Sequence, residues 1–436
     1  MTTAVLGGGL TGVTIARLLL DRGEDVLVIE AEPGIGGLCR SKVEAGYTFD
    51  LGGSHIIFSR DREVLTLMTG MLGSNRNERV RNTKIFYSGR FIKYPFENGL
   101  AGLPKEDLFF CLNEYVRALI AAETGASRKP ATFREWMYST FGKGIAELYL
   151  VPYNEKIWKY PTDLMSPHWV EGRVPRPPAE DVIRSAIGIE TEGYTHQSVF
   201  SYPLNGGIEA LVHAVAGPLR GRIITGFRVR SLAKDPDGWK ISDGEKTIRA
   251  DKVICTIPVQ ALVAALPGVP DTVKEAVSGL RYNSIACVYL GVEGPVPDIS
   301  WLYVPGSTDG PENRISFPSN YSPKVAPPGH GAILSEITYN EGDEISLMTD
   351  GQLISHIVAS LERMGLVSRD RVRYSAVNRE RYAYVVYDLP YQENIRVVRD
   401  YCKSAGIPLV GRFAQFEYLN MDACIRNAVD FVKEWT

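Results

Sequence analysis

The first thirty residues alternate between short apolar runs and one longer periodic segment. Residues 4–6 form an apolar run of the length expected for a buried strand, and a second such run ends at Ile29. Between them, apolar residues recur over 13–20 with the spacing of a helix face. The pattern therefore predicts a strand, a helix and a second strand.

Further along the chain, the pattern predicts a hairpin over 84–93, helices over 105–124 and 133–149, and antiparallel strands around 286–291. Prolines and aromatic residues interrupt 149–161, which predicts an irregular wall rather than a helix. Extended segments at 222–229, 239–241 and 251–258 are expected to complete the sheet begun by the first two strands. A final strand, loop and helix are expected over 409–435.

A glycine motif lies between the first predicted strand and helix. Gly7 permits a tight turn, Gly9 permits close approach of a pyrophosphate, and Gly12 permits close packing of the helix on the strand. The helix N-terminus then offers unpaired N–H groups to the phosphates. Glu30 follows the second strand, where an acid can hold a ribose hydroxyl. Together these features predict a dinucleotide site.

Two more glycine-containing segments follow closely. Residues 33–41 contain a second glycine cluster, which fits FAD better than NAD because the larger cofactor needs more points of backbone approach. Paired glycines then precede Ser54 and His55, in a loop that could place its backbone and imidazole close to a flavin ring. The alternative, which a lone histidine would normally favour, is a loop histidine with ordinary hydrogen bonds.

These segments resemble a large flavoprotein group that includes amine oxidases, protoporphyrinogen oxidases, desaturases and UDP-galactopyranose mutases. The eukaryotic-type mutases share Tyr-Pro-Phe at 94–96, Pro-Tyr-Asn at 152–154, Trp-x-x-x-Arg-Val at 169–174, Trp-Leu-Tyr at 301–303, and Gly-Arg-Phe at 411–413. They also place an arginine before Ser-Asn-Tyr-Ser-Pro, as here at 314 and 319–323. The resemblance covers residues 4–435 and identifies the chain as similar to the mutases.

The resemblance implies a set of FAD contacts. Several members of the group place arginine where Leu38 stands, and the mutases lack the extra Ser54 before the histidine. The expected contacts are Gly7, Gly9, Leu10, Thr11, Gly12, Glu30, Ala31, Gly37, Leu38, Arg40, Gly53, Ser54, His55, Arg412, Asn420, Met421 and Asp422.

The resemblance also implies a nucleotide-sugar site in which Arg173 and Arg314 clamp a diphosphate. Tyr384 is preferred to Tyr387 as the key tyrosine of its segment, while Trp169 is expected to pack in the core. The expected substrate contacts are Tyr94, Phe96, Glu97, Tyr149, Asn154, Trp158, Arg173, Tyr303, Arg314, Tyr384 and Tyr418. The expected catalytic residues are His55, Arg173, Arg314, Tyr303, Tyr384 and Tyr418.

The activity that the resemblance implies is interconversion of UDP-galactopyranose and UDP-galactofuranose, or a close analogue. In the mutases, N5 of reduced FAD attacks the anomeric carbon of the sugar, and there is no net redox change. An NAD(P)H or other reductant would then be needed to reduce FAD. The alternatives are an FAD-dependent oxidase or oxidoreductase of the amine oxidase and protoporphyrinogen oxidase type, and a noncatalytic flavin-containing scaffold.

Composition and charge limit the classes of partner and the cellular location that the sequence predicts. The 436 residues carry a net charge of −3, which gives no general bias toward nucleic acid. No apolar run reaches the ~18 residues of a membrane span, and the first strand starts too early to leave room for a signal peptide. Six scattered cysteines without paired spacing predict reduced thiols in a cytoplasmic protein and no metal site. The oligomeric state stays open.

The predicted architecture is α/β, with a discontinuous Rossmann-like FAD domain, an inserted helical domain and an antiparallel substrate sheet. The FAD domain is expected to comprise 1–83, 190–280 and 395–436. The helical domain is expected over 99–189, and the substrate sheet over 84–98 and 281–394.

Overall fold

The computed structural model describes residues 1–170, 174, 176–191 and 198–435. Its strands are β1 (Thr2–Leu6), β2 (Asp25–Ile29), β3 (Ser41–Glu44), β4 (Tyr47–Asp50), β5 (Arg76–Val80), β6 (Thr83–Tyr87), β7 (Arg90–Lys93), β8 (Val199–Pro203), β9 (Ile223–Ile224), β10 (Ser231–Asp235), β11 (Gly238–Ser242), β12 (Thr247–Ala250), β13 (Lys252–Cys255), β14 (Tyr282–Glu293), β15 (Trp301–Tyr303), β16 (Arg314–Ser316), β17 (His330–Tyr339) and β18 (Val372–Val385).

Helices lie between and beside these strands. They are α1 (Leu10–Asp21), α2 (Arg62–Leu72), α3 (Lys105–Glu123), α4 (Phe133–Ile145), α5 (Val151–Trp158), α6 (Ala179–Ala186), α7 (Glu209–Ala216), α8 (Val259–Ala265), α9 (Asp271–Ser278), α10 (Glu344–Leu347), α11 (Asp350–Arg363), α12 (Tyr391–Ser404) and α13 (Met421–Glu434). None in the described part of the chain is long and apolar enough to cross a membrane.

A parallel sheet in the order β13-β1-β2-β9 carries the N-terminal strand–helix–strand unit. Its central strand β1 is fully apolar from Ala4 onward and buried, because α1 covers one face and a second apolar cluster covers the other. Leu409 adds a single parallel bridge to Cys255, so the chain returns to this sheet just before α13. The mixed α/β class that the sequence predicts is confirmed.

One sequence expectation about this sheet is wrong. The segment 239–241 lies in β11, which pairs with β10 and β12 in a separate antiparallel sheet. Only two residues of 222–229 pair with β2, at Ile223 and Ile224. Local β-propensity predicted the strands, but the pairing partner is chosen by tertiary packing.

A seven-stranded sheet in the order β18-β14-β17-β16-β15-β6-β7 forms the second large layer. The pairs are antiparallel except β15 with β6. The predicted hairpin over 84–93 is present as β6 and β7 and lies at one edge of this sheet.

The segment expected to be irregular at 149–161 is helical over Val151–Trp158. α5 continues without a break from a π-helical turn at Ala146–Leu150, and Leu150 before it already has α-helical φ and ψ. Pro152 therefore follows directly after a turn with the wider π-type hydrogen-bond pattern, in which the regular α-helical pattern is already interrupted. The helix ends at Lys159 in a left-handed conformation with φ of 50°. The expectation failed because the chain stays helical through Pro152, with a π-helical turn before it in place of a break.

Candidate functional site

The glycine loop between β1 and α1 has the geometry that the motif predicts. Gly7 has φ of 105°, a left-handed value that favours glycine. A Cβ on Gly12 would lie 2.0 Å from the Gly7 carbonyl oxygen, so only glycine lets α1 pack this closely. At Gly9, a Cβ would meet only the Gly37 Cα at 4.0 Å. The backbone at Gly9 is thus open to a ligand, and Leu10 and Thr11 form the first helical turn beside it.

Glu30 is held at the end of β2 by two backbone donors. Its Oε2 accepts from Gly8 N at 2.7 Å and its Oε1 from Glu32 N at 2.8 Å, and the residue is buried. A carboxylate accepts about four hydrogen bonds, so capacity remains for a ribose hydroxyl. Ala31 continues the chain beside it.

The second glycine cluster lies directly against the first. Gly36 N donates to the Gly8 carbonyl at 2.8 Å, and Gly37 has φ of 56°. Two of the three nitrogens of the Arg40 guanidinium have hydrogen-bond partners within the protein. Its Nη2 donates to Glu380 Oε1 in β18 at 2.8 Å, and its Nε donates to the Gly37 carbonyl at 3.2 Å. Arg40 therefore joins the glycine cluster to the seven-stranded sheet.

The loop of Gly53, Ser54 and His55 packs between Leu38 and the seven-stranded sheet. A Cβ on Gly52 would lie 2.3 Å from the Leu38 carbonyl oxygen, which shows how close the loop comes. The His55 Nδ1 lies 2.8 Å from the Gly53 carbonyl oxygen. Burial lowers the pKa of His55 to about 4, with the charges of Arg314 and Arg412 acting in the same direction. The imidazole is therefore neutral at physiological pH.

The segment that precedes α13 completes this end of the molecule. A Cβ on Gly411 would lie 2.7 Å from Thr11 Oγ1, so this segment touches the first turn of α1. Asn420 precedes α13 without a side-chain cap, followed by Met421 and Asp422. The Asp422 carboxylate accepts from Ser59 Oγ at 2.7 Å and from Ala423 N at 2.9 Å.

Arg412 offers an unsatisfied donor at this place. Its Nη1 donates to the Leu419 carbonyl at 2.9 Å and its Nη2 to the Ala383 carbonyl at 2.7 Å. Its Nε is buried and has no partner within the described part of the chain. Buried donors are rarely left unpaired, so this N–H fits an acceptor on a bound group. This unpaired N–H of Arg412 and the open backbone at Gly9 together show that the residues present fit FAD.

A row of side chains crosses the seven-stranded sheet. Directly paired positions on successive strands carry Ile85 (β6), Tyr303 (β15), Arg314 (β16), Glu336 (β17), Cys287 (β14) and Asn378 (β18). Direct cross-strand neighbours project from the same face of a sheet. The row therefore places Arg314 and Tyr303 on one surface.

Arg314 is bound to a buried carboxylate. Its Nε and Nη2 donate to Glu336 at 2.9 and 2.7 Å, and Nη2 also donates to the Ser54 carbonyl at 3.1 Å. Glu336 is 0% exposed, whereas the Arg314 side chain is 23% exposed. The pairing with Glu336 raises the pKa of Arg314 further. Within the described residues only Nη1 has no hydrogen bond, so one edge of the guanidinium remains for a ligand.

Aromatic rings form one wall beside Arg412. The Trp158 ring packs edge-on against Tyr384 and Tyr418, whose own centroids lie 5.9 Å apart. The Arg412 guanidinium lies 4.6 Å from the Tyr418 centroid. Tyr387 is placed differently, because it is buried and its hydroxyl accepts from Tyr418 N at 2.6 Å.

A second aromatic series leads from Tyr303 to α5. Tyr94 and Tyr153 each have centroids 5.2 Å from that of Tyr303, and Phe96 and Tyr149 stack further along. On α5, Asn154 Oδ1 accepts from the Trp158 indole N–H at 2.9 Å.

Glu97 follows Phe96 and is 4% exposed. Burial without a neighbouring cation raises its pKa to about 7. Because this pKa lies near physiological pH, a large part of the carboxyl population is protonated there, and a protonated carboxyl both donates and accepts hydrogen bonds.

The structure brings together most of the residues that the sequence singled out, but not all can be placed. Arg173 lies outside the described residues. Sequence reasoning missed three polar residues: Glu336, Glu380 and Asn378. They contact Arg314, Arg40 and the Leu51 carbonyl, respectively. Nothing in the sequence marks them, since each is one of several polar residues within its strand. No cluster of metal-ligating side chains occurs among the residues described.

Two glycine-containing loops, two helix N-termini and the unpaired Arg412 donor together define an FAD-binding protein. The family model of flavin containing amine oxidoreductases matches residues 10–401. The chain belongs to this family, and the FAD expected from the glycine motifs is confirmed.

Several curated relatives are protoporphyrinogen oxidases. Human protoporphyrinogen oxidase is 26% identical over 274 residues, which cover 59% of this chain and 54% of that enzyme. The chain thus spans about half the length of this relative. Chloroplastic protoporphyrinogen oxidase 1 of Spinacia oleracea is 21% identical over 415 residues, covering 83% of this chain and 70% of that enzyme.

Solved structures extend the likeness to the whole chain. A crystal structure of reduced UDP-galactopyranose mutase has a TM-score of 0.89 and 26% identity, and the alignment covers 99% of this chain and 94% of that one. The crystal structure of a protein described as a putative protoporphyrinogen oxidase, from Exiguobacterium sp. 255-15, has a TM-score of 0.77 and 18% identity, covering 99% of this chain and 98% of that one. The second likeness shows the fold alone.

Proposed function

We propose that the protein is a flavin-dependent nucleotide-sugar mutase that interconverts UDP-galactopyranose and UDP-galactofuranose, or a close analogue. The observation that carries the proposal is the row across the seven-stranded sheet, which sets Tyr303 beside Arg314. Arg314 in turn is bound to the loop of Gly53, Ser54 and His55. The similarity to reduced UDP-galactopyranose mutase over nearly the full length supports it.

In this proposal the side chains bind and orient, and bound reduced FAD supplies the nucleophile that they lack. Arg314, and with it Arg173, holds the diphosphate, so that charge developing on it is stabilised. Tyr303, Tyr384 and Tyr418 line the space beside it with hydroxyl groups. Holding the diphosphate in place keeps it close to the sugar for its return. The neutral His55 adds no positive charge to the flavin side.

Tyr94, Phe96, Tyr149, Asn154 and Trp158 would form the nucleotide end of the site. Glu97 stands where the mutases carry glutamine. With a pKa of about 7, its carboxyl is substantially protonated at neutral pH. It then offers one donor and one acceptor, as an amide does. Uracil and cytosine each present both a donor and an acceptor, so a protonated Glu97 can pair with either base, and the ratio of UDP to CDP affinity measures which one is bound.

The alternative is an oxidase, which the curated relatives favour. It would transfer hydride from its substrate to FAD and then reduce oxygen. An oxidase has no need for a cation that contacts a diphosphate, and the uncommitted Nη1 of Arg314 favours the mutase.

The first prediction separates the two functions. Protein reduced with dithionite under argon is expected to interconvert the two UDP-galactoses, whereas the oxidised protein is expected to be inactive. The measurement is chromatography of the two sugar nucleotides, with an oxygen electrode in parallel. Oxygen consumption in proportion to substrate, or turnover by oxidised protein, would assign the chain to the oxidases.

A further inference from the structure

Glu336 has an unusual position, because it is fully buried in the middle of a sheet and yet contacts two separate parts of the site. Its Oε1 accepts from Ser54 N at 2.9 Å and from Arg314 Nε at 2.9 Å. Its Oε2 accepts from Arg314 Nη2 at 2.7 Å. Arg314 Nη2 also donates to the Ser54 carbonyl, so the three residues form a closed ring of hydrogen bonds.

The loop is held tightly on the other side as well. Ser54 Oγ lies 3.0 Å from the hydroxyl of Tyr321, which donates to the Ser300 carbonyl. Gly53 has φ of 97°, and a Cβ there would lie 3.0 Å from Glu336 Oε2. Ser54 is also the residue that the mutase motif lacks. The extra residue is thus absorbed by contacts to the sheet, with His55 following directly after it.

We propose that Glu336 is a positioning residue that fixes Arg314 and the loop of Gly53, Ser54 and His55 as one unit, so that an anion held by Arg314 acts on the flavin through this loop. The proposal rests on the proposed function for the identity of the anion, a nucleoside diphosphate. Because two of the three guanidinium nitrogens are committed to Glu336, the ligand meets Arg314 through Nη1 alone.

If the ion pair between Glu336 and Arg314 served only stability, a different result would be expected. Its loss would lower the thermal stability and FAD content without separating ligand binding from catalysis. In a positioning role, the loss of Glu336 leaves the positive charge of Arg314 available to the diphosphate but lets the guanidinium and the loop move independently. Ligand affinity is then retained while catalysis falls.

The test compares Glu336→Gln with Glu312→Gln. Glu312 is also fully buried in this part of the chain, but it accepts from Ser360 Oγ rather than from Arg314. Three quantities are measured: the UDP affinity by isothermal titration, the difference spectrum of bound flavin on adding UDP, and kcat and KM of the reduced protein. Arg314→Lys, which keeps the positive charge but loses the two parallel N–H donors to Glu336, is measured in parallel.

Glu336→Gln is expected to bind UDP nearly as well as the wild type but to lose the UDP-induced flavin difference spectrum. Its kcat is expected to fall about 100-fold, as for other small misplacements of binding groups. Arg314→Lys is expected to lose the difference spectrum too, whereas Glu312→Gln keeps it. Wild-type spectra and kcat in Glu336→Gln would overturn the proposal, as would equal losses in Glu312→Gln.

The same samples also distinguish failure of the proposed function from failure of the positioning role. If the wild type binds no nucleoside diphosphate, the proposed function fails, and the positioning role is decided by the flavin spectrum without ligand. That spectrum shifts in Glu336→Gln but not in Glu312→Gln if the loop is fixed by Glu336; unchanged bands in both overturn the inference. If Glu336→Gln does not fold, Glu336→Asp keeps the charge, reaches Ser54 and Arg314 less well, and is judged by the same criteria.

Discussion

At the scale of single residues, burial decides what a carboxyl group can do. Glu30 is buried but accepts two backbone hydrogen bonds, and Glu336 is buried against a guanidinium. Glu97 is buried and, within the described residues, its carboxyl has a hydrogen bond only from its own backbone N–H, so burial dominates and raises its pKa to about 7. The sequence shows three glutamates of the same chemistry, and only their surroundings separate an acceptor, an ion-pair partner and a group that titrates near neutrality.

Replacing Glu97 by Gln is expected to stabilise the protein above pH 7. The folded pKa of about 7 exceeds the unfolded value of 4.5, so the folded state keeps its proton longer and loses stability as pH rises through this window. Glutamine removes the penalty, which is on the order of 3 kcal/mol at pH 8 since a pKa unit is worth about 1.4 kcal/mol.

Urea unfolding of wild type and Glu97→Gln at pH 4 and pH 8 checks this expectation. The low-pH pair is the control, since Glu97 is protonated there in both states and the two proteins should be nearly equal. A gain of the same size at both pH values would mean that the effect is one of packing and not of titration.

At the scale of elements, close approach of α1 to β1 creates the space for the cofactor. Gly12→Ala places a methyl group 2.0 Å from the Gly7 carbonyl oxygen, so the helix must move outward. Overpacking of this kind costs about 1–3 kcal/mol. The variant is expected to purify with less bound FAD than the wild type, measured as flavin absorbance per protein.

Gly34→Ala is the matched control, because a Cβ at Gly34 meets nothing within 4 Å. It lies in the neighbouring glycine cluster and should keep a full complement of FAD. Loss of FAD from both variants would show that the region tolerates no substitution, and would remove the specific argument for Gly12.

At the scale of the whole molecule, the proposed FAD site draws on elements that are far apart in sequence. The loop after β1, the cluster that holds Arg40, the loop at His55 and the start of α13 all meet there, and Arg40 and Arg314 tie them to the seven-stranded sheet. A ligand that contacts all of them in the folded state and none in the unfolded state stabilises the fold by mass action.

Removal of FAD is therefore expected to lower the melting temperature, and added FAD is expected to restore it in a concentration-dependent way. At an FAD concentration of about 100 times Kd the gain is about 2.7 kcal/mol. Riboflavin is the comparison ligand, since it lacks the pyrophosphate that the Gly9 backbone and α1 would receive. Equal rescue by riboflavin would contradict the placement of the phosphates at this helix.

The sequence by itself determined the N-terminal unit, because the glycine spacing, the short apolar strands and the terminal acid are all local features. It also determined the hairpin over 84–93 and the helix at 105–124, whose periodicities are carried by neighbouring residues. The helix expected over 133–149 is present only in part, because α4 (Phe133–Ile145) is interrupted at Gly142 and a π-helical turn at Ala146–Leu150 follows it. The irregular segment expected at 149–161 was wrong because a π-helical turn at Ala146–Leu150 leads into α5 and the chain stays helical through Pro152, which the local sequence does not signal.

Only the tertiary structure decided which residues stand beside one another across the sheet. Glu336 lies 22 positions from Arg314 and 282 from Ser54 along the chain, yet it binds both. That contact depends on the register of β16 and β17 and on the path of a distant loop. Register is set by the packing of whole faces against each other, and a one-residue shift would turn Glu336 to the other side of the sheet.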